Sequence, residues 1–440
     1  MEVLPHPHKM TILQGYLQDG MCCALSGLSN TGKSTLLRAL CTPEASEGAA
    51  WRVYVDCNRM LDLSEQGFYE AVLRAVRAHF RPPAAPAPVT ERLEHAYRQV
   101  VEPSNPFAIP LGFIEGIEGL CEGVSHPVVL VLDEFDEPFA ALEGRTFLNL
   151  RALRDRYRPA LVYVVGVERP LDELRDDAET AEFRELFADH TCRLGMLAEA
   201  WSAERVRQVA AVAGTTLSEE EVNFVVEQAG GHPGLLGAVT RLLLRARAVA
   251  PETYASMGTR LVAEALPGDE ATRRECGRLW GQLTAAERAA LQGLVEREPV
   301  GQAARERLTS LGLTDEQGHL FGAAFAAFIR RHGQRRADLP PGVWLDADSG
   351  EVYVDGRQAP PLTDLEYRLL RFLIERKDKL CDRFTLVEAV WGEKFIDEVD
   401  DARIEKLVSR LRAKIEQDPA NPRYLLTVRG RGYRLQSNGQ

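Results

Sequence analysis

Residues Gly27-Leu28-Ser29-Asn30-Thr31-Gly32-Lys33-Ser34 carry a spacing that suits one kind of chemistry, the holding of a phosphate chain. Gly27 and Gly32 let the backbone turn with its N–H groups facing inward, Lys33 can reach β- and γ-phosphates, and the Ser34 hydroxyl can ligate Mg²⁺. Asn30, Thr31 and Thr35 complete the cradle, and STLLRAL continues it as a helix whose N-terminal dipole favours an anion. A second stretch, VVLVLDEFDE (128–137), is an apolar run that ends in carboxylates. Asp133 stands where a strand would exit, placed for the Mg²⁺ shell, and Glu134 beside it can orient or deprotonate a water for attack on a γ-phosphate. Arg169 follows the apolar run LVYVVGVE, where its guanidinium can reach a γ-phosphate from the neighbouring strand tip.

The other end of the chain points to a different polyanion. At ~100° per residue, DDARIEKLVSRLRAKIEQD gathers Ile404, Val408, Leu411 and Ile415 on a core-facing arc and Arg403, Lys406, Arg410 and Lys414 in an outward sector. In RYLLTVRGRGYRL, two apolar stretches are joined by Arg429-Gly430-Arg431-Gly432, a hairpin with arginines at its tip. Residues 403–434 hold nine Lys/Arg against three acids, in a chain whose net charge is -12. That overall charge argues against indiscriminate polyanion binding, so the local basic helix and wing carry the contact: a helix in the major groove of DNA and a wing on its backbone.

The elements that position these residues follow from hydrophobic patterning. MCCALSG, WRVYVDC, VVLVLDEFDE, LVYVVGVER and TCRLGM read as strands separated by helical patterns, which predicts an α/β core with a parallel sheet over 1–199. RPPAAPAP (81–88) reads as an exposed loop. Strand signals stop after about residue 200, which predicts a helical lid over 200–266, then a winged-helix-like unit over 267–335. GQRRADLPPG marks a linker, assigned to 336–342, and 343–440 forms the last domain. The eight cysteines show neither CxxC pairs nor zinc spacing, as expected of reduced thiols in a cytosol. No signal peptide or apolar run of membrane-spanning length is visible, so a cytoplasmic location without membrane contact is expected.

GLSNTGKST, VVLVLDEFDE and VVGVER resemble the Walker A, Walker B and sensor strands of STAND-type, AAA+-related P-loop ATPases. GGHPGLL (230–236) is similar to the glycine-x-proline element of that class, which implies that His232 and Pro233 contact the bound nucleotide. An arginine finger and the long sensor repeats common among STAND regulators are not identifiable. LTDLEYRLLRFL, VEAVWG, RIEKLVSRLRAKIEQDP and YLLTVRGRGYRL resemble the winged-helix effector domain of OmpR/PhoB response regulators. That match implies that Lys406, Ser409 and Arg410 approach base edges and that Arg412, Arg429 and Arg431 hold phosphates. The fold expected is thus an α/β P-loop NTPase followed by two winged helices.

Three functions remain open on sequence grounds. One is an ATP-dependent, signal-responsive transcription regulator that hydrolyses ATP slowly as a switch, with double-stranded DNA, an unknown inducer and a homo-oligomer in the ATP state as its partners. The others are a replication- or transposition-type initiator ATPase and a nucleotide-binding scaffold in stress or phage defence.

Overall fold

The computed structural model describes residues 6–42, 50–81, 86–315, 317–337, 341–346, 351–360, 362–392, 401–428 and 430–437. The chain divides into two compact units. Met1–Leu217, Gly230–Gly237 and Thr309–Thr314 form the first, and Ser218–Ala229, Ala238–Leu308 and Asp315–Gln440 form the second.

In the first unit, α1 (Pro7–Gln18) leads into β1 (Cys23–Ser26), α2 (Lys33–Leu40), β2 (Trp51–Asp56) and α3 (Glu65–His79), and β3 (Val128–Asp133), β4 (Leu161–Val167) and β5 (Thr191–Arg193) follow. The strands form one sheet in the order β2-β3-β4-β1-β5, with every pairing parallel. Each of the five apolar runs in the sequence supplies one of these strands. Parallel strands are covered on both faces, so β3 and β4 are apolar and buried at every residue before their polar exits. Leu36, Leu37, Val72, Val131 and Val164 join the core between the sheet and its helices.

Three helices occupy most of the segment expected as a helical lid. They are Glu199–Val212, Glu219–Ala229 and Pro233–Val249; residues 230–237 belong to the first unit and the flanking parts of 218–266 to the second. Gly230 and Gly231 take positive φ and turn the chain between the last two of these helices. The proline-rich stretch at 81–88 lies partly outside the described residues, with helix Ala87–Val101 beginning inside it.

The second unit contains α4 (Glu270–Gly281), α5 (Ala285–Glu296), a helix Gln302–Ser310 shared with the first unit, and α6 (Ala323–Ala337). Between the last two, only Thr314 and Leu320 adopt bridge conformation among the described residues, in place of a wing with full strands. α6 runs to Ala337, two residues into the stretch expected as a linker from 336, because Gln334, Arg335, Arg336 and Ala337 favour helix; residues 338–340 lie outside the described residues. A three-stranded antiparallel sheet, β6 (Val343–Leu345), β7 (Val352–Val354) and β8 (Arg357–Gln358), opens the effector domain. It is followed by α7 (Asp364–Glu375), α8 (Arg383–Trp391), α9 (Asp401–Ile415) and the hairpin β9 (Leu425–Val428) and β10 (Gly432–Leu435). Ile404, Val408, Leu411 and Ile415 of α9 are buried in the core of this domain, as the helical spacing predicted.

Inside the second unit, α6 is pinned to the first sheet of the effector domain by a buried ionic cluster. His332 Nδ1 lies 2.9 Å from Asp346 Oδ2 and Nε2 lies 2.9 Å from Glu351 Oε2. Arg288 of α5 pairs with the other oxygen of Glu351, and Tyr353 donates its hydroxyl to Glu351 at 2.6 Å. The imidazole stacks on Phe328 and meets the edge of Trp280, at centroid distances of 5.6 and 5.1 Å. Burial alone would lower the pKa of His332, but hydrogen bonds to Asp346 and Glu351 and the charge of both carboxylates outweigh it and lift it to about 9.

Candidate nucleotide site and nucleic-acid interface

The phosphate loop leaves β1 at Gly27, whose N–H donates to Val167 O of β4 at 3.1 Å. Asn30 takes φ 57° and Gly32 φ 103°, the second in the left-handed region that glycine tolerates best. No side chain caps α2, so the N–H groups of its first turn point into the loop without a side-chain acceptor. Thr31 is buried and holds the loop closed through Oγ1 to Leu28 O at 2.7 Å. Lys33 is 5% exposed, and its Nζ donates to Gly27 O at 2.6 Å and Leu28 O at 3.2 Å. The ammonium is therefore inside the cradle, held by the loop that it would share with an anion. Ser34 hydrogen-bonds Glu134, and Thr35 is exposed on α2.

Asp133 sits at the end of β3 and is 1% exposed. Its Oδ1 accepts from Glu134 N at 3.0 Å and its Oδ2 accepts from Tyr54 Oη, on the adjacent strand β2, at 2.5 Å. Glu134 occupies φ 55°, a conformation rare for a side chain of its type, and turns the chain out of the strand. Its pKa is raised, chiefly by burial and then by the charge of Asp133. Asp136, passed over in the sequence reading, belongs to the same turn. Its Oδ1 accepts from Glu168 N at 2.7 Å, while its Oδ2 is buried with no hydrogen-bond partner among the described residues. Burial pushes its pKa up to about 7. The signal for it was available in the second aspartate of DEFDE, three residues after the first, which one helical turn brings back to the strand end. Arg169 lies beyond β4, its Nη1 3.3 Å from Glu173 Oε2.

Among the described residues no three Asp, Glu, His or Cys side chains gather closely enough to hold a metal by themselves. The Ser34 hydroxyl, the Asp133 carboxylate and the orphaned oxygen of Asp136 are hard oxygen donors of the kind Mg²⁺ takes together with phosphate oxygens and water.

His232 is fully buried, and the turn that carries it reaches the phosphate loop. Its Nδ1 accepts from Leu235 N at 3.2 Å, which leaves the proton on Nε2, 2.9 Å from Ser29 O. Gly231 brings the turn against the exit of β5: its carbonyl accepts from Leu197 N at 2.9 Å, and a Cβ on it would lie 2.4 Å from Leu197 O. Pro233 opens the helix Pro233–Val249. From the other side His6, which the sequence reading did not single out, places Nε2 3.3 Å from Thr31 O.

In the effector domain the expected DNA-facing residues separate into two groups. Arg403, Lys406, Ser409 and Arg410 lie on the exposed face of α9, and Arg431 is exposed beside the hairpin tip. Arg429 lies outside the described residues. Arg412 instead bonds Leu425 O at 2.9 and 2.7 Å and Thr427 Oγ1 at 2.8 Å, tying α9 to the hairpin. Lys414 donates to Glu366 Oε2 at 2.6 Å and ties α9 to α7. Glu416, at the end of α9, accepts from the N–H groups of Arg423, Tyr424 and Leu425 and sets the path into the hairpin. The exposed cations thus rest on a frame made by their less exposed neighbours. No helix among the described residues is long and apolar enough to cross a membrane.

A family model described as Novel STAND NTPase 1 matches residues 8–331, and one described as Transcriptional regulatory protein, C terminal, matches residues 357–435. The sensory transduction protein RegX3 of Mycobacterium leprae (strain TN) is 38% identical over 121 residues, which is 26% of this chain and 60% of that protein. The probable transcriptional regulator ycf27 of Porphyridium aerugineum is 38% identical over 92 residues, 21% of this chain and 38% of that one. The chain therefore spans less than two thirds of the length of these relatives. Among solved structures, a Walker-type ATPase of Pyrococcus abyssi is 16% identical, with a TM-score of 0.44 over 75% of this chain and 96% of its own.

Proposed function

The chain belongs to the Novel STAND NTPase 1 family and ends in a transcriptional-regulator domain of the OmpR type, and from that premise we propose that the nucleotide held by the phosphate loop controls how the effector domain binds DNA. The observation that carries the reading is His232. Its Nε2–H rests on the carbonyl of Ser29 within the phosphate loop, and Pro233 next to it begins a helix whose residues pass from the first compact unit to the second after Gly237. A loop that rearranges around a γ-phosphate would move the histidine's acceptor and, through it, the start of that helix.

In this mechanism Gly27, Asn30, Thr31, Gly32 and Thr35 shape the cradle, and Lys33 leaves the carbonyls of Gly27 and Leu28 to pair with phosphate oxygens. Ser34 and Asp133 would hold Mg²⁺, which would offset charge on the phosphates. Glu134 positions a water for slow hydrolysis, Arg169 senses the γ-phosphate, and His232 and Pro233 border the nucleotide. On DNA, Lys406, Ser409 and Arg410 meet base edges, and Arg403 and Arg431 meet phosphates. Nucleotide shifts the equilibrium only as far as its affinities for the two states differ.

The test is to measure DNA affinity with ADP, with a non-hydrolysable ATP analogue, and for Lys33→Ala. The switch predicts that ADP and the analogue give different affinities and that Lys33→Ala responds to neither. Equal affinity in all three sinks it.

A further inference from the structure

The first unit carries a concave site lined by none of the phosphate-loop residues. A cavity of about 540 Å³ opens between the C-terminal end of α2, strand β2 and α3, within the size range of small-ligand pockets. Its wall includes four arginines, Arg38, Arg52, Arg59 and Arg74, against a single aspartate, Asp56. This concentration stands out in a chain with net charge -12.

The acids nearby leave part of that charge available. Asp56 Oδ1 is turned to its own backbone, accepting from Asn58 N at 3.2 Å. Glu70 pairs with Arg74 at 3.1 Å, and Arg74 also donates to Arg59 O at 2.7 Å, which holds the rim together. Arg52 is 7% exposed and bonds Leu40 O at 2.9 Å, closing the end of α2. Arg38 and Arg59 are exposed, and among the described residues neither side chain is ion-paired. Two arginines thus brace the cavity and two face its solvent side. On the opposite wall α3 presents Ala71, Ala75 and Ala78, which take up little of the space.

The cavity also connects to the nucleotide site. Arg38 lies 5.1 Å above the ring of Tyr54, and the Tyr54 hydroxyl donates to Asp133 Oδ2 at 2.5 Å. A ligand that draws Arg38 away from the ring changes the support of the tyrosine that orients the Asp133 carboxylate.

We propose that this cavity binds a small molecule carrying two or more phosphate groups, and that Arg38 and Tyr54 relay its presence to Asp133. Guanidinium forks match phosphate oxygens in pairs, and a compact polyphosphate can engage Arg38 and Arg59 together where a single charge cannot. The relay rests on the proposed role of Asp133 as a Mg²⁺ ligand, whereas the binding site does not.

The full chain is saturated with ADP, so that the phosphate loop is filled, and titrated calorimetrically with inorganic pyrophosphate and, separately, with fructose 1,6-bisphosphate. The two arms separate an inorganic from an organic phosphate source. Binding is expected in at least one arm and weakens by about 10-fold or more in the double variant Arg38→Gln/Arg59→Gln, while ADP affinity measured without Mg²⁺ stays within about twofold. Tyr54→Phe should leave phosphate binding intact and abolish its effect on the Mg²⁺ dependence of ADP affinity. No binding in either arm, equal binding by the double variant, or citrate binding as tightly as the phosphates overturns the site. If phosphate binding survives but Tyr54→Phe changes nothing, the relay is overturned and the site stands. DNA affinity that ignores nucleotide, with phosphate binding intact, overturns the switch alone.

Discussion

In the proposed function the phosphate loop and helix α9 both bring cations to phosphates, but they do so in opposite ways. Lys33 is buried and already bonded to two backbone carbonyls of its own loop, so an incoming phosphate exchanges one set of close oxygens for another. Lys406 and Arg410 stand in solvent on α9, held in place by a helix whose other cations, Arg412 and Lys414, are engaged within the domain. The first arrangement acts at contact distance in a site little screened by salt. The second acts through a field that falls off over ~8–10 Å at physiological ionic strength.

The largest expected effect lies on the buried side of that contrast. Lys33→Ala should lower nucleotide affinity by about 100-fold, from the loss of charge-assisted bonds, while DNA affinity measured without nucleotide stays unchanged. A variant that loses both would mean that the two cation sets are not independent.

A second effect of similar size belongs to the frame. His332→Asn removes a buried charge from between Asp346 and Glu351 and should cost about 3 kcal/mol in urea unfolding of the full chain. The pH dependence has a defined sign. The folded pKa of His332, about 9, exceeds its ordinary 6.5, so its contribution is complete below pH 6.5 and is lost as pH rises through about 9. The wild-type chain should weaken over that window more steeply than the variant, and parallel profiles would remove the histidine from the account.

Smaller changes separate the exposed cations from the engaged ones. Arg410→Ala should weaken DNA binding by about 10-fold at fixed salt, whereas Lys414→Met should cost about 1 kcal/mol of stability and leave DNA affinity nearly unchanged. The smallest effect is on the salt slope of DNA binding, to which each cation that neutralises a phosphate contributes roughly -0.9. Arg431→Ala should reduce its magnitude by about one, read by fluorescence anisotropy.

How far the sequence disclosed these features depended on whether the signal was local. The five strands of the first unit were legible because central parallel strands are apolar on both faces, and VVLVL or LVYVVGV leaves little else to conclude. The phosphate loop was legible because its glycines and lysine are contiguous. The sheet β6–β7–β8 was not, since strands of two or three residues are too short to show an alternating pattern. The His332 cluster was hidden for another reason: its members, from Trp280 to Tyr353, meet only after α4, α5 and α6 have packed, and no local spacing links them to one another. Tyr54 was hidden in the same way, because its bond to Asp133 exists only through the pairing of β2 with β3. On α9 the spacing separated core from surface correctly. It could not separate Arg410, which is exposed, from Arg412 and Lys414, whose partners lie on other elements.

The turn at Gly231 sets how much of this a cell could lose through one base change. A methyl group there would collide with the backbone of Leu197, and the least costly escape is for the whole turn to lift away from β5. Sheet and effector core would survive, but the imidazole would no longer touch Ser29. Under the proposed switch, the link between the phosphate loop and the helix Pro233–Val249 would be cut, while the sheet that carries the loop would keep its own core.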